Sequence, residues 1–167
     1  MTAADLLAPP AAVSAGPPPA APLVRLERVE KVFPNGTHAL AGLDLAIGER
    51  EFVALLGPSG CGKSTALRLI AGLARPSRGR VVWAGQEGRG DVGFVFQEPT
   101  LMPWATAFDN VHLPLRLQGR PRRAVREQVM EALAMVGLER FAASYPRELS
   151  GGMRKRVAIA RALVTRP

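Results

Sequence analysis

The most constraining feature of the sequence is a glycine-rich loop, Gly57-Pro58-Ser59-Gly60-Cys61-Gly62-Lys63-Ser64-Thr65, which fits the pattern G-x-x-x-x-G-K-[ST]. The residues before it, Glu51–Leu56, are almost continuously apolar, which predicts a strand buried on both faces at the centre of a parallel sheet. The residues after it, Ser64–Ala71, predict a helix that ends at Gly72. The order strand, glycine turn, helix therefore indicates an α/β fold.

This loop carries the groups that bind phosphate. Glycines allow the backbone to turn so that successive amides point inward at the start of a helix, where they form an anion site. Lys63 adds a positive charge for the outer phosphates, and the Ser64 hydroxyl is a ligand for Mg²⁺. The alternative is a glycine turn that only caps a helix. The predicted nucleotide-binding residues of this P-loop are Gly57, Pro58, Ser59, Gly60, Cys61, Gly62, Lys63, Ser64 and Thr65.

A second candidate anion site begins at Leu149, where Ser150 precedes Gly151 and Gly152 at the start of a predicted helix. Alone, these residues also fit a capped helix behind a flexible loop. Together with the P-loop, they resemble the ATP-binding subunits of ABC transporters, whose signature is usually L-S-G-G-Q. Met153 stands here in place of the Gln. The resemblance covers residues 23–167.

The resemblance assigns further roles. Phe33 lies where the family places an aromatic residue that stacks on adenine, although a buried core phenylalanine is the alternative. Gln97 matches the glutamine that reaches Mg²⁺ and the attacking water, so it joins Ser64 as a metal ligand and Lys63 as a catalytic residue. Ser150, Gly151 and Gly152 would complete the ATP site of a second subunit, sandwiching the nucleotide.

One stretch indicates a subfamily. The run Gln97–Trp104, followed by Asp109-Asn110-Val111, resembles the nitrate, sulfonate and taurine importer group, which also tends to carry Met in the signature. Trp104 beside Pro103 is expected to form a rigid apolar prominence facing the permease; a tryptophan that covers the edge of the core is the alternative. The implied function is ATP-driven uptake of a small anion such as nitrate, sulfonate or taurine.

The implied partners are a transmembrane permease and a second ATPase subunit, expected to be another copy of the chain, with ATP and Mg²⁺ as cofactors. The implied location is peripheral, on the cytoplasmic face of the inner membrane. The implied fold is an α/β P-loop NTPase with an N-terminal antiparallel β portion, a parallel core sheet and a helical subdomain. We expect a disordered Ala/Pro-rich lead-in over residues 1–22, the ATP-binding core over 23–96, the Q-loop and helical subdomain over 97–149, and the signature helix over 150–167.

Periodicity predicts the remaining elements. Alternating or apolar runs indicate strands at Leu23–Val29, Leu43–Ile47, Arg80–Ala84 and Val92–Phe96. Helical spacing places Val125, Val129, Leu133 and Val136 on one apolar face, and a last helix is expected over Gly151–Thr165.

Charge and cysteine content narrow the function classes. The formal charge is +8, but 19 of the 22 basic residues are Arg, and two arginine-rich stretches on predicted helices are expected to be solvated faces. We therefore expect no nucleic-acid partner, with an ABC ATPase of DNA repair or translation as the alternative. The single cysteine, Cys61, excludes a disulfide framework. His38 and His112 are expected to be ordinary surface or edge residues.

The chain ends at Pro167, where the family expects a strand ending in Asp, then a catalytic Glu and a switch His. The resemblance therefore implies that the Walker B Asp, the catalytic Glu and the C-terminal part of the core are absent, and that residues 1–167 alone are inactive. A nucleotide-binding or interaction module that does not hydrolyse ATP is the alternative.

Overall fold

The structure is a computed structural model that describes residues 22–84 and 92–167. These residues fall into two compact units that divide between Gly90 and Asp91. The predicted lead-in over residues 1–22 lies, except for Pro22, outside the described residues. The predicted domain limits at 96/97 and 149/150 remain predictions.

The first unit contains an antiparallel sheet of three strands in the order β2-β1-β3. Strand β1 spans Val24–Val32, β2 spans His38–Ile47 and β3 spans Arg78–Trp83. Both outer strands pair with β1 in antiparallel register. These strands confirm the predicted antiparallel β portion, although β2 begins at His38, five residues before the predicted strand at Leu43–Ile47.

Helix α1, Lys63–Ile70, packs its buried Leu69 against the apolar face of this sheet. The sheet residues in that core are Val24, Leu26 and Val29, all nearly inaccessible to solvent. Burying a leucine of this kind stabilises a fold by about 1.5–3 kcal/mol, so the contact fixes the helix on the sheet. The predicted helix and its end at Gly72, which has φ +71°, are confirmed.

The predicted central strand at Glu51–Leu56 is wrong for this structure, since the segment has no strand pairing. Instead of lying buried on both faces, Phe52 is 94% exposed and Leu56 is 89% exposed. The predicted strand at Val92–Phe96 is likewise unpaired. A parallel strand needs hydrogen-bonded neighbours and a covering layer on each face. Within residues 22–84 and 92–167 neither segment has a neighbouring strand.

The second unit is built from three helices: α2 over Ala107–Leu117, α3 over Arg126–Met135 and α4 over Gly151–Leu163. Short 3₁₀ turns at Glu139–Phe141 and Pro146–Glu148 connect α3 to α4. The three helices share one apolar core. No helix in the described ranges has the length and apolar content needed to cross a membrane.

The predicted apolar face of α3 is confirmed, since Val129 and Leu133 are fully buried and Val125 is buried just before the helix. Val136 packs at the margin of the same core. The predicted helix over Gly151–Thr165 is also confirmed, although it ends at Leu163.

Candidate functional site

Three glycines give the P-loop its shape. Gly57, Gly60 and Gly62 all have positive φ, at 149°, 83° and 94°. Gly62 is the N-cap of α1, and a Cβ at this position would overlap the carbonyl oxygen of Ala39 in β2. Only glycine therefore satisfies both the backbone conformation and the close approach to the strand.

The first amides of α1 are available to a ligand. The amides of Gly62, Lys63 and Ser64 donate to no protein acceptor within the described ranges, and no side chain caps the helix. The first turn contains no acidic residue. Unpaired amides and the positive end of the helix dipole together make this helix terminus suited to an anion.

The side chain of Lys63 places its charge within the loop. Its Nζ donates to the carbonyl oxygens of Gly57 at 2.8 Å and Pro58 at 2.7 Å, and lies 3.4 Å from the Sγ of Cys61. The neighbouring Ser64 is exposed. Unpaired amides, a lysine ammonium and an exposed hydroxyl are the donor set that fits a phosphate chain with Mg²⁺.

Phe33 lies in the turn between β1 and β2. Its amide donates to the carbonyl oxygen of Thr37 at 2.9 Å, which closes the turn. The ring is 37% exposed, and Lys31 Nζ lies 5.5 Å from its centroid, so Phe33 is not a buried core residue. Because Gly62 contacts Ala39 at the start of β2, the turn and the P-loop lie at the same end of the β1–β2 hairpin.

Ser150 begins α4 as predicted. Its Oγ accepts a hydrogen bond of 3.2 Å from the amide of Met153, and Gly151 and Gly152 are exposed. The side chain of Met153, which replaces the usual glutamine of the signature, packs against the helical core. The two glycines therefore present bare backbone to solvent beside a fixed cap.

Gln97 is exposed, and the residues that follow it are tied to the signature helix. Arg161 of α4 donates to the carbonyl oxygens of Pro99 and Thr100, each at 3.0 Å, and to Thr100 Oγ1 at 3.1 Å. Burial lowers the pKa of the Arg161 guanidinium, which nonetheless stays charged at neutral pH. Sequence reasoning missed Arg161; its position in a mostly apolar stretch of α4 was the available signal.

Trp104 is 76% exposed, which excludes the alternative that it covers the edge of the core. The turn that contains Trp104 is held by Asn110 of α2. The Asn110 side chain is fully buried and forms hydrogen bonds with backbone groups of Met102, Ala105 and Thr106. Asn110 was singled out in the sequence only as part of the resemblance to the importer subfamily. A lone amide among the apolar residues of α2 indicates such a backbone contact.

The predicted site residues are thus divided between the two units. The P-loop and Phe33 lie together in the first unit. The candidate groups Gln97, Ser150, Gly151 and Gly152 belong to the second.

A family model described as "ABC transporter" matches residues 40–167. The chain belongs to the ABC transporter family. The matched range includes both glycine motifs, so the family assignment rests on the P-loop and the signature as well as on the helices between them.

Two curated relatives illustrate the similarity. This ABC chain is 46% identical over 150 residues to an uncharacterized ABC transporter ATP-binding protein, MJ0412, of Methanocaldococcus jannaschii, covering 86% of this chain and 56% of the relative. It is 48% identical over 153 residues to the spermidine/putrescine import ATP-binding protein PotA of Escherichia coli strain K12, covering 87% of this chain and 40% of that protein. The chain therefore spans about half the length of these relatives.

Solved structures confirm the fold class. The ATP-binding cassette MJ0796, in a dimeric post-hydrolysis state bound to ADP and Pi, matches with a TM-score of 0.79 and 40% identity, covering 86% of this chain and 70% of that one. CbiO1 from Clostridium perfringens, part of the transporter complex cbiONQ, matches with a TM-score of 0.74 and 32% identity, covering 87% and 62%. This ABC chain is an α/β P-loop NTPase that covers part of a cassette.

Proposed function

We propose that this chain is the ATP-binding part of an ABC importer subunit that couples ATP binding and hydrolysis to solute uptake. The observation that carries the proposal is the geometry of the P-loop. Gly62 is the N-cap of α1, the first amides of that helix are unpaired, and the Lys63 ammonium donates to the loop carbonyl of Gly57. The family match supports the transporter class, and the similarity to the import ATP-binding protein PotA supports the importer role.

Each residue of the nucleotide site has a proposed task. The amides of the P-loop and the Lys63 ammonium hold the β- and γ-phosphates, and Phe33 stacks on the adenine ring. Ser64 and Gln97 are the proposed Mg²⁺ ligands; bound there, Mg²⁺ would neutralise phosphate charge. Lys63 and Gln97 are proposed to act catalytically, Lys63 on the γ-phosphate and Gln97 on the attacking water.

We further propose that two ATPase subunits enclose each ATP, with Ser150, Gly151 and Gly152 of one copy facing the P-loop of the other. The exposure of both glycines, which leaves their backbone open, supports this arrangement. Because the nucleotide would contact both copies only when they close, it would shift the population toward the dimer. The matching cassette MJ0796 is dimeric in two solved structures.

The proposed partner of the second unit is a transmembrane permease, which would hold the subunit peripherally at the cytoplasmic face of the inner membrane. Trp104 supports this proposal, because a large exposed aromatic side chain on a hydrogen-bonded turn is typical of a protein interface. No nucleic-acid partner is proposed.

For the solute we propose a small anion such as nitrate, sulfonate or taurine. The support is the run Gln97–Trp104 and Met153 in the signature. PotA, whose name specifies spermidine and putrescine, makes a polyamine the competing class. A nucleotide-binding or interaction module that does not hydrolyse ATP is the second candidate for residues 1–167, because the segment at Phe52–Leu56 has no strand partner in the described ranges.

The experiment is ATP-driven uptake by the intact subunit reconstituted with its permease in proteoliposomes. Uptake of labelled sulfonate or nitrate with Mg²⁺-dependent phosphate release is the expected result, and Lys63→Ala should abolish both. Transport of putrescine but not of the anions would overturn the solute assignment. Phosphate release that is insensitive to Lys63→Ala would overturn the proposed nucleotide site.

A further inference from the structure

A basic pocket lies along α2 and the loop that follows it, within the second unit. Its volume is about 420 Å³, and its polar lining consists of Asp109, His112, Arg116, Arg120 and Arg122. We call it the arginine pocket. Its three guanidinium groups and one carboxylate sum to a net charge of +2.

Arg122 is fixed in this pocket. Its guanidinium forms a 2.7 Å ion pair with Asp109 and lies 4.5 Å from the ring centroid of Phe108. Asp109 is itself held by the hydroxyl of Thr106 at 2.7 Å. A guanidinium held by a carboxylate and an aromatic face loses less conformational entropy when it binds a further ligand.

Arg116 and Arg120 remain free for a ligand. Both are exposed, and neither forms an ion pair within the described ranges. The arginine-rich stretch was expected on a helix, but Arg120 and Arg122 lie in the loop between α2 and α3, where they turn back toward Arg116. Three arginines of the stretch therefore line one pocket while remaining exposed to solvent.

Three carbonyl groups at the C-terminal end of α2 are already paired, which reduces their repulsion of a negative charge. Carbonyl groups at a helix C-terminus repel anions when they are unpaired. Here the carbonyls of Pro114, Leu115 and Arg116 accept hydrogen bonds from the amides of Gln118, Arg120 and Gly119. The carbonyl oxygen of Arg120 lies 3.1 Å from the Nε2 of His112, which is buried, whereas a surface or edge position was expected.

We propose that the arginine pocket binds an oxyanion of the phosphate type, carrying about two negative charges. Guanidinium groups match phosphate oxygens with paired hydrogen bonds, and the charge of the pocket balances a dianion. The shared chemistry is a phosphate monoester or inorganic phosphate, free in solution or displayed by a lipid headgroup. The pocket lies in the second unit, so the proposal does not depend on the P-loop.

The test uses the intact subunit carrying Lys63→Ala, in buffer without nucleotide. The substitution weakens phosphate binding at the P-loop, so that binding at the arginine pocket can be measured. Calorimetry at constant ionic strength measures binding of inorganic phosphate, and co-sedimentation measures binding to phosphatidic acid vesicles against phosphatidylcholine vesicles. Arg116→Gln with Arg120→Gln should weaken binding by about tenfold or more, since two charge-assisted contacts are lost.

Arg123→Gln is the matched control, because it removes one exposed charge from the same loop without lining the pocket. It should leave affinity nearly unchanged. Arg116→Lys with Arg120→Lys keeps the charge but not the paired donors, and an intermediate affinity is expected. Binding of phosphate, or of phosphatidic acid vesicles alone, supports the proposal and identifies the source. Absence of both, or equal weakening by Arg123→Gln, would overturn it.

Discussion

The side chain of Asn110 bonds to both backbone groups of Met102: its Oδ1 accepts from the Met102 amide at 2.8 Å, and its Nδ2 donates to the Met102 carbonyl at 3.2 Å. Further bonds reach the carbonyls of Ala105 and Thr106. A fully buried amide of α2 thus fixes the turn that displays Trp104.

Replacing Asn110 with Ala is expected to lower the free energy of unfolding by about 1–3 kcal/mol, because it leaves buried backbone groups without partners. Denaturant titration of the intact subunit measures this loss. The fluorescence anisotropy of Trp104, recorded in a Trp83→Phe background, should fall as its turn loosens. Asn110→Asp keeps an acceptor for the Met102 amide but places a carboxylate oxygen against the carbonyls of Met102, Ala105 and Thr106, so it should cost at least as much as Asn110→Ala. Unchanged stability and anisotropy in Asn110→Ala would contradict the assigned role.

Gly62→Ala should lower the free energy of unfolding by more than the cost of placing alanine in a left-handed backbone conformation. The left-handed conformation alone costs a non-glycine residue about 1–2 kcal/mol. The added Cβ would also meet the Ala39 carbonyl and displace the loop from β2. We expect a larger loss of stability, together with weaker ATP binding.

Gly36→Ala is the control for that variant. Gly36 has φ +81°, close to that of Gly62, but a Cβ there has nothing within 4 Å. It should show only the backbone cost and keep ATP affinity. Equal losses of stability in both variants would refute the close-packing argument.

Cys61 is expected to report on nucleotide occupancy, because its Sγ lies 3.4 Å from the Nζ of Lys63 in the P-loop. Alkylation by iodoacetamide is expected to slow when MgATP is added, and pre-alkylated protein should lose ATP binding. Mass spectrometry follows the reaction, with Cys61→Ser as the unreactive control because Cys61 is the single cysteine. Alkylation rates that are the same with and without ATP would place the thiol outside the nucleotide site.

The exposed segment at Phe52 and Leu56 predicts that residues 1–167 expressed alone self-associate. Phe52→Ser with Leu56→Ser should reduce the associated fraction measured by light scattering. Met135→Ser, which removes an exposed apolar side chain from the second unit, should not. A wild-type chain that stays monomeric across the concentration series would count against this prediction.

The sequence predicts the elements that depend on residues close to one another in the chain. Strands β1 and β3, the second half of β2, helices α1, α3 and α4, and the Ser150 cap follow from alternation, helical spacing and capping chemistry. Helix α2 was not predicted as a separate helix. The pairing of Glu51–Leu56 could not be predicted in the same way, because a parallel strand depends on neighbours that are distant in the chain.

Side chains that bond to remote backbone groups were also missed. Arg161 and Thr100 are 61 residues apart, and no local pattern indicates that one guanidinium holds the segment after Gln97. His112 was expected to be an ordinary surface or edge residue and is buried. Its ring lies 3.1 Å from the carbonyl oxygen of Arg120, which belongs to a loop where a helix was expected. The roles of the predicted site residues remain proposals.

The most direct test of the central claim is calorimetric titration of the intact subunit with MgATP, comparing wild type with Lys63→Ala. Loss of the ammonium, which lies 2.8 Å from the Gly57 carbonyl within the loop, is expected to weaken binding by about 1.5–3 kcal/mol. Arg123→Ala, which removes an exposed charge elsewhere, should bind like wild type. Equal ATP affinity in wild type and Lys63→Ala would contradict the proposal that this loop is the nucleotide site.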